Sequence, residues 1–398
     1  MSTPRPIDGR NLAAHKNYIG GDWRPAAQGM NLDVLCPSDG RPFAQIARSG
    51  AADVDAAVSA ARTAHDSGDW GKLAAVERGR LISRLGALVL DHFDELAGLE
   101  ARDTGKPISQ ARADITATAR YFEFYGGAAD KVHGDTIPFL AGFTALTLRE
   151  PHGVTGHIIP WNYPAQMVGR TLGAALAMGN ATVMKPAEDA CLTPLRIARL
   201  AAEAGFPAGA INIVTGLGEE AGEALARHPD IDFLSFTGSP EVGTRVQTAA
   251  AASHVGCVLE LGGKSPQLLF ADADLDAALP VIVKAIVQNG GQTCSAGSRL
   301  LVERSAYDAV TTDLSRRFST LRAGTHEMDL DCGALINAKQ ADRVRGYMDR
   351  ARARGIPLLA QGSIADSVPE GGFFVRPSLF GPVPEASETS VAISPVSR

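Results

Sequence analysis

From residue 154 to about residue 270 the chain alternates short apolar runs with amphipathic stretches, and this alternation restricts the possible folds more than any other feature. Strands read at 154–159, 182–185, 211–214, 233–236 and 255–261, with helices near 165–178, 194–204, 219–227 and 241–252 between them. Each helix carries the chain back to start another strand in the same direction, so the pattern gives a parallel sheet wrapped by helices. The expected fold class is α/β with a nucleotide-binding, Rossmann-like sheet. Open sheets bind ligands beyond the carboxyl ends of their strands, which makes the residues following each strand the first candidates for a site.

The flanking regions read differently. Residues 17–50 give hairpin-like β structure, and helices are expected at 53–65, 77–103 and 109–129, the second stopped by Gly105 and Pro107. Segments 144–149 and 154–159 read as two strands joined by a Glu-Pro-His-Gly turn. Beyond 270 a second α/β unit follows: an apolar helix at 275–287, a strand at 300–302, helices at 306–321 and 339–354, then chain rich in Gly and Pro. The end, from 384 to 398, is short of large apolar anchors and reads as disordered. A length of 398 residues suits two or three domains.

Composition narrows the function classes. A net charge of −6 with no basic run gives no footprint for nucleic acid or an anionic membrane surface. The first residues show no apolar signal core and no stretch of 18 apolar residues occurs, so a cytoplasmic protein is expected. The five cysteines, Cys36, Cys191, Cys257, Cys294 and Cys332, are odd in number and lack C-x-x-C spacing, which argues against a disulfide framework and against a metal site.

Residues 288–299, QNGGQTCSAGSR, place Cys294 in a loop of small and amide residues between a helix and a strand. Gly290, Gly291 and Gly297 let backbone approach a ligand and leave N–H groups to face a developing oxyanion. A nucleophile and a structural thiol both remain open there. Asn162, in the IPWN turn after the first parallel strand, can donate to a substrate oxygen or satisfy its own turn. Lys185 and Glu188, in KPAE, can hold ribose hydroxyls or form a surface ion pair. Gly238 and Ser239, in FTGSPEVG, join a strand to a helix start that favours a phosphate, although the G-x-G-x-x-G spacing is absent and a plain cap reads equally. Glu260, in LELGGK, sits at a strand end where a carboxylate is partly desolvated, as a general base requires, or is paired with Lys264. No histidine keeps a telling spacing to Cys294, and His157 reads as core or edge.

Five motifs in one order, IIPWNYP, KPAE, FTGSPEVG, LELGGKSP and NGGQTCSAGSR, together resemble the aldehyde dehydrogenase superfamily over residues 17 to about 384. The resemblance implies NAD-dependent oxidation of an aldehyde to an acid, with Cys294 as nucleophile, Glu260 as general base and Asn162 with the Cys294 N–H as oxyanion hole. It also implies cofactor contacts at Ile159, Trp161, Lys185, Glu188, Gly218, Gly238, Ser239, Gly243, Leu261 and Gln340. Glu188 favours NAD over NADP, since a carboxylate repels a 2′-phosphate. The implied division is a cofactor domain at 1–142 and 154–266, a β-arm for homodimer or homotetramer assembly at 143–153, and a catalytic domain at 267–384. After FGPVPEASE the sequence leaves the family pattern, so an incomplete catalytic domain and an atypical tail at 385–398 are expected. A catalytically impaired NAD-binding fragment is the alternative. A CoA-acylating enzyme is a further one, against which Glu260 argues because it equips the site for water.

Overall fold

The computed structural model describes residues 14–384, so the atypical tail at 385–398 and the first residues lie outside the described residues. The chain opens with β1 (Asn17–Ile19) and β2 (Asp22–Arg24), and a separate sheet holds Ala14–His15, Asn31–Cys36 and Arg41–Ala47. Helices α1 (Ala51–Asp66), α2 (Ala75–Asp91), α3 (Phe93–Thr104) and α4 (Ile108–Ala128) follow. The parallel part comprises β3 (Val154–Ile159), α5 (Pro164–Ala177), β4 (Ala181–Pro186), α6 (Leu192–Ala204), β5 (Ile211–Ile213), β6 (Phe233–Gly238), α7 (Pro240–Ala252) and β7 (Gly256–Leu261). After it come β8 (Pro266–Leu269), α8 (Leu275–Val287), β9 (Arg299–Val302), α9 (Tyr307–Thr320) and α10 (Ala338–Ala353).

The central sheet has seven strands in the order β7-β6-β3-β4-β5-β1-β2. The five expected strands are all present and parallel, and β4 is buried along its whole length, as an apolar strand covered on both faces must be. Gly156 in β3 is required by packing, because a Cβ there would lie 2.7 Å from Leu234 Cδ2 on the neighbouring strand. Strand order sets the site. The chain moves outward from β3 through β4 to β5, then returns to lay β6 and β7 on the other side of β3. The crevice between the ends of β3 and β6 is therefore a topological switch point, the usual ligand position in such sheets. Register keeps the ends level, with Ile158 opposite both Phe236 and Lys185, and Thr237 opposite Glu260.

Several expectations are corrected. The hairpin β1–β2 joins the main sheet antiparallel to β5, through Tyr18 opposite Ile213, a pairing too distant in sequence for local pattern to show. The single helix expected at 77–103 is broken at His92 (φ −103°, ψ 26°), where the apolar periodicity runs on but the backbone does not. Segments 144–149 and 154–159 do not pair with each other. Instead Ala145–Leu146 pairs with Thr136–Ile137 in a two-stranded sheet of its own, while β3 lies in the middle of the large sheet. The helix expected at 219–227 is a π-helical turn at Gly218–Gly222 followed by Glu223–Ala226. The Gly/Pro-rich end contains paired strands, Leu358–Gln361 with Ser378–Phe380.

One continuous apolar core runs from Tyr18 to Ala250. The region after β8 has two small clusters, one of Leu269, Leu279, Ile282, Val310 and Leu314, the other of Phe318, Leu321 and Ala360. Among the described residues no helix is long and apolar enough to cross a membrane, and no cluster of three or more His, Cys, Asp or Glu could hold a metal.

Candidate active site and cofactor cleft

A cleft of about 940 Å³ opens at the switch point. Ile159, Trp161 and Asn162 enter it from the end of β3, Lys185 and Glu188 from the end of β4, and Gly238 and Ser239 from the turn after β6. Gly218 and Gln340 line it as well. Gly243 and Leu261 stand behind that lining and pack together, since a Cβ on Gly243 would meet Leu261 Cδ2 at 2.6 Å. Lys185 Nζ donates to Glu188 Oε2 at 2.7 Å. Burial works to raise the Glu188 carboxyl, but Lys185 outweighs it and holds the group below its ordinary range. Ser239 caps α7 by accepting from the Val242 N–H at 3.3 Å, so the positive end of a 13-residue helix faces the cleft. Gln340 Oε1 is buried without a hydrogen-bond partner among the described residues.

The Cys294 loop is built by three consecutive left-handed residues, Asn289 (φ 49°), Gly290 (62°) and Gly291 (77°), which turn the chain sharply after α8. This turn brings the loop against the IPWN turn. Asn162 Nδ2 donates to the Gln292 carbonyl at 2.8 Å, and Asn289 Nδ2 donates to the Asn162 carbonyl at 2.9 Å. Asn162 is thereby buried and held, with one of its two amide hydrogens committed to Gln292. Gly263 closes the site from the other side, as a Cβ there would lie 3.4 Å from the Cys294 carbonyl oxygen. Among the described cysteines Cys294 is the exposed one. Burial pushes the Cys191 thiol far up and the Cys332 thiol up to about 12, which keeps both protonated and inert.

Glu260 differs from its expectation in one respect. The strand end predicts a carboxylate that is partly desolvated or paired with Lys264, whereas its side chain is 46% exposed and accepts from Arg170 Nη2 at 2.9 Å. Helix α5 carries Arg170 past the end of β7, a contact ninety residues apart in sequence that no local spacing announces. Lys264, on the turn behind Cys294, is lowered to about 8 by burial and by the nearby Arg343 and Arg299.

Sequence reasoning also missed the support under Asn162. Tyr163, whose hydroxyl bonds the Thr293 side chain, packs its ring over Lys106 Nζ at 4.5 Å, and that buried ammonium reaches the Asn162 carbonyl. A lysine held between Gly105 and Pro107 at a helix junction was the available signal.

Comparison with known proteins gives a consistent picture. The aldehyde dehydrogenase family model matches residues 23–390. A hydroxyisobutyraldehyde dehydrogenase from Mycolicibacterium austroafricanum is 42% identical over 375 residues, covering 94% of this chain and 74% of the relative. A crystal structure from Burkholderia cenocepacia superposes with a TM-score of 0.93 at 60% identity, over 94% of this chain and 79% of that one. The NAD+ complex of an aldehyde dehydrogenase from Bacillus cereus also superposes with a TM-score of 0.93, at 38% identity over 97% of this chain and 79% of that one.

Proposed function

The chain belongs to the aldehyde dehydrogenase family, and from that premise we propose that Cys294, Asn162 and Glu260 are the groups with which it oxidises an aldehyde to a carboxylic acid using NAD. The observation that carries this assignment is the bond from Asn162 Nδ2 to Gln292 O, which ties an amide donor at the end of the cleft's first strand to the loop that carries the exposed Cys294 two residues on.

The residues of the cleft fit a dinucleotide. The unpartnered Gln340 Oε1 suits a ribose hydroxyl, the α7 start suits a pyrophosphate, and the Lys185–Glu188 pair suits the adenosine ribose. Ile159, Trp161 and Gly218 line the same space, while Gly243 and Leu261 hold the α7 start against β7. Glu188 disfavours NADP by like-charge contact with its 2′-phosphate.

The Cys294 sulfur adds to the aldehyde carbon, forming a C–S bond and moving the carbonyl electrons onto oxygen. That oxyanion accepts from the remaining Asn162 amide hydrogen and from the Cys294 backbone N–H. Bound NAD supplies the acceptor for the two electrons and the hydrogen that leave this carbon. Glu260 takes a proton from the water that attacks the resulting thioester, and the acid leaves as Cys294 is regenerated.

The arm at 136–146 supports assembly with further copies of the chain as a homodimer or homotetramer, because Phe139, Leu140 and Phe143 are each at least 66% exposed on it. Cys294→Ala tests the chemistry: NADH formation should fall below detection while NAD still binds in a fluorescence titration. Continued turnover by that variant would remove Cys294 from the mechanism.

A further inference from the structure

Beneath the IPWN turn lies a buried charged cluster with no part in the steps above. Lys106, Glu100 and Asp114 are buried, and the Lys106 ammonium lies 2.5 Å from Asp114 and 3.5 Å from Glu100. Burial alone would depress the lysine, but the two carboxylates outweigh it and keep it charged. Its main chain is set from both sides. Gly105 is left-handed (φ 78°) and ends α3, where a Cβ would strike Pro37 at 2.7 Å, and Pro107 begins α4. The side chain is therefore aimed inward from a rigid junction.

An ammonium has three hydrogens. One carboxylate, Asp114, would suffice to balance its charge, yet Nζ also lies 2.9 Å from the Asn162 carbonyl oxygen and 4.5 Å from the centre of the Tyr163 ring. The same carbonyl accepts from Asn289 Nδ2, so the peptide that carries the oxyanion donor is fixed from below by the helical layer and from above by the Cys294 loop. The main-chain bond from Lys106 and the side-chain bond to Gln292 act on one residue at its two ends.

We infer that Lys106 is a positioning residue for the oxidation reaction: its buried ammonium holds the Asn162 turn at the height where the free amide hydrogen meets the developing oxyanion. This rests on the assignment of Asn162 as oxyanion donor. A shift of that donor by about 1 Å is enough to cost on the order of a hundredfold in rate. Acylation of Cys294, seen as the first-turnover burst of NADH, is therefore the step that depends on Lys106. Cofactor binding, carried by the far side of the cleft, does not.

The test is a double-mutant cycle on the full chain with saturating NAD. Lys106→Met should slow the burst by roughly ten- to a hundredfold, with the affinity for NAD within about twofold of the parent. In an Asn162→Ala background the same substitution should cost less than about threefold, because the group it positions is gone. If the lone substitution prevents folding, the charge-balanced Lys106→Met/Asp114→Asn pair carries the same cycle. Additive losses in the cycle, an equal loss in NAD affinity, or failure of both Lys106 variants to fold would assign Lys106 to the core and overturn the inference. An Asn162→Ala enzyme with an undiminished burst would instead refute the oxyanion assignment itself.

Discussion

The two halves of this active site are built on unequal foundations. The Asn162 side rises from a sheet in which β4 and β5 are buried end to end and β3 is buried but for Ile158, all part of a single continuous core. The Cys294 side rises from two small clusters and from elements with large apolar side chains in the open: Leu268 on β8 is 62% exposed, Phe270 just after it 61% and Val281 on α8 65%. Cys294 thus sits on the less consolidated half, and the geometry of its loop depends on hydrogen bonds reaching across from the better packed one. What fixes the loop is the lattice of Asn162, Asn289 and Gln292. Buried polar groups fix geometry through the bonds they complete, and in this lattice the Asn162–Gln292 and Asn289–Asn162 bonds run between the two turns while Asn289 Oδ1 is left without a partner among the described residues.

Truncations on the two halves should break the symmetry most visibly. Leu176→Ala empties a fully buried site beside the sheet and should cost about 2–5 kcal/mol of stability. Leu301→Ala, at a side chain 52% exposed in β9, should change it by no more than about 0.5 kcal/mol. Urea unfolding of both variants measures the contrast, and equal costs would show that the Cys294 half is packed as firmly as the sheet.

Acid should sharpen the same contrast. His157, in the middle of the sheet with Nε2 2.9 Å from Thr155 Oγ1, is lowered by burial from its ordinary 6.5 to about 4. Between those values the unfolded chain holds the extra proton, so this residue's contribution is intact above pH 6.5 and is lost as pH falls toward 4. The loss amounts to roughly 3 kcal/mol at most. His157→Gln should flatten the dependence of unfolding free energy on pH across that window, and an unchanged slope would place the acid-sensitive group elsewhere.

What the sequence disclosed follows the same division. Each parallel strand is a short apolar run set between amphipathic stretches, so the five strands and helix α8 are legible directly, and the ends of those strands point to Asn162, Lys185, Glu188 and Gly238. Contacts between distant segments are not legible. The β1–β2 hairpin completes a sheet whose other members begin more than a hundred residues later, and the Arg170–Glu260 pair joins a helix to a strand ninety residues onward. The Gly105-Lys-Pro107 junction marks Lys106 in the sequence, but its partners do not follow from it, since only the packed helices α3 and α4 bring Glu100 and Asp114 around the ammonium. The break at His92 is hidden for a different reason, since the apolar face continues across it.

The account turns on covalent chemistry at Cys294, and the most direct measurement is to catch it. Glu260→Gln should slow thioester hydrolysis by about 10²–10⁴-fold while leaving the first turnover intact. Acid-quenched protein incubated with aldehyde and NAD should then show, by intact and peptide mass spectrometry, one acyl group attached to Cys294 in amount equal to the NADH formed. NADH released with no adduct on the protein, or an acyl group on Cys36, Cys191, Cys257 or Cys332 instead, would contradict it.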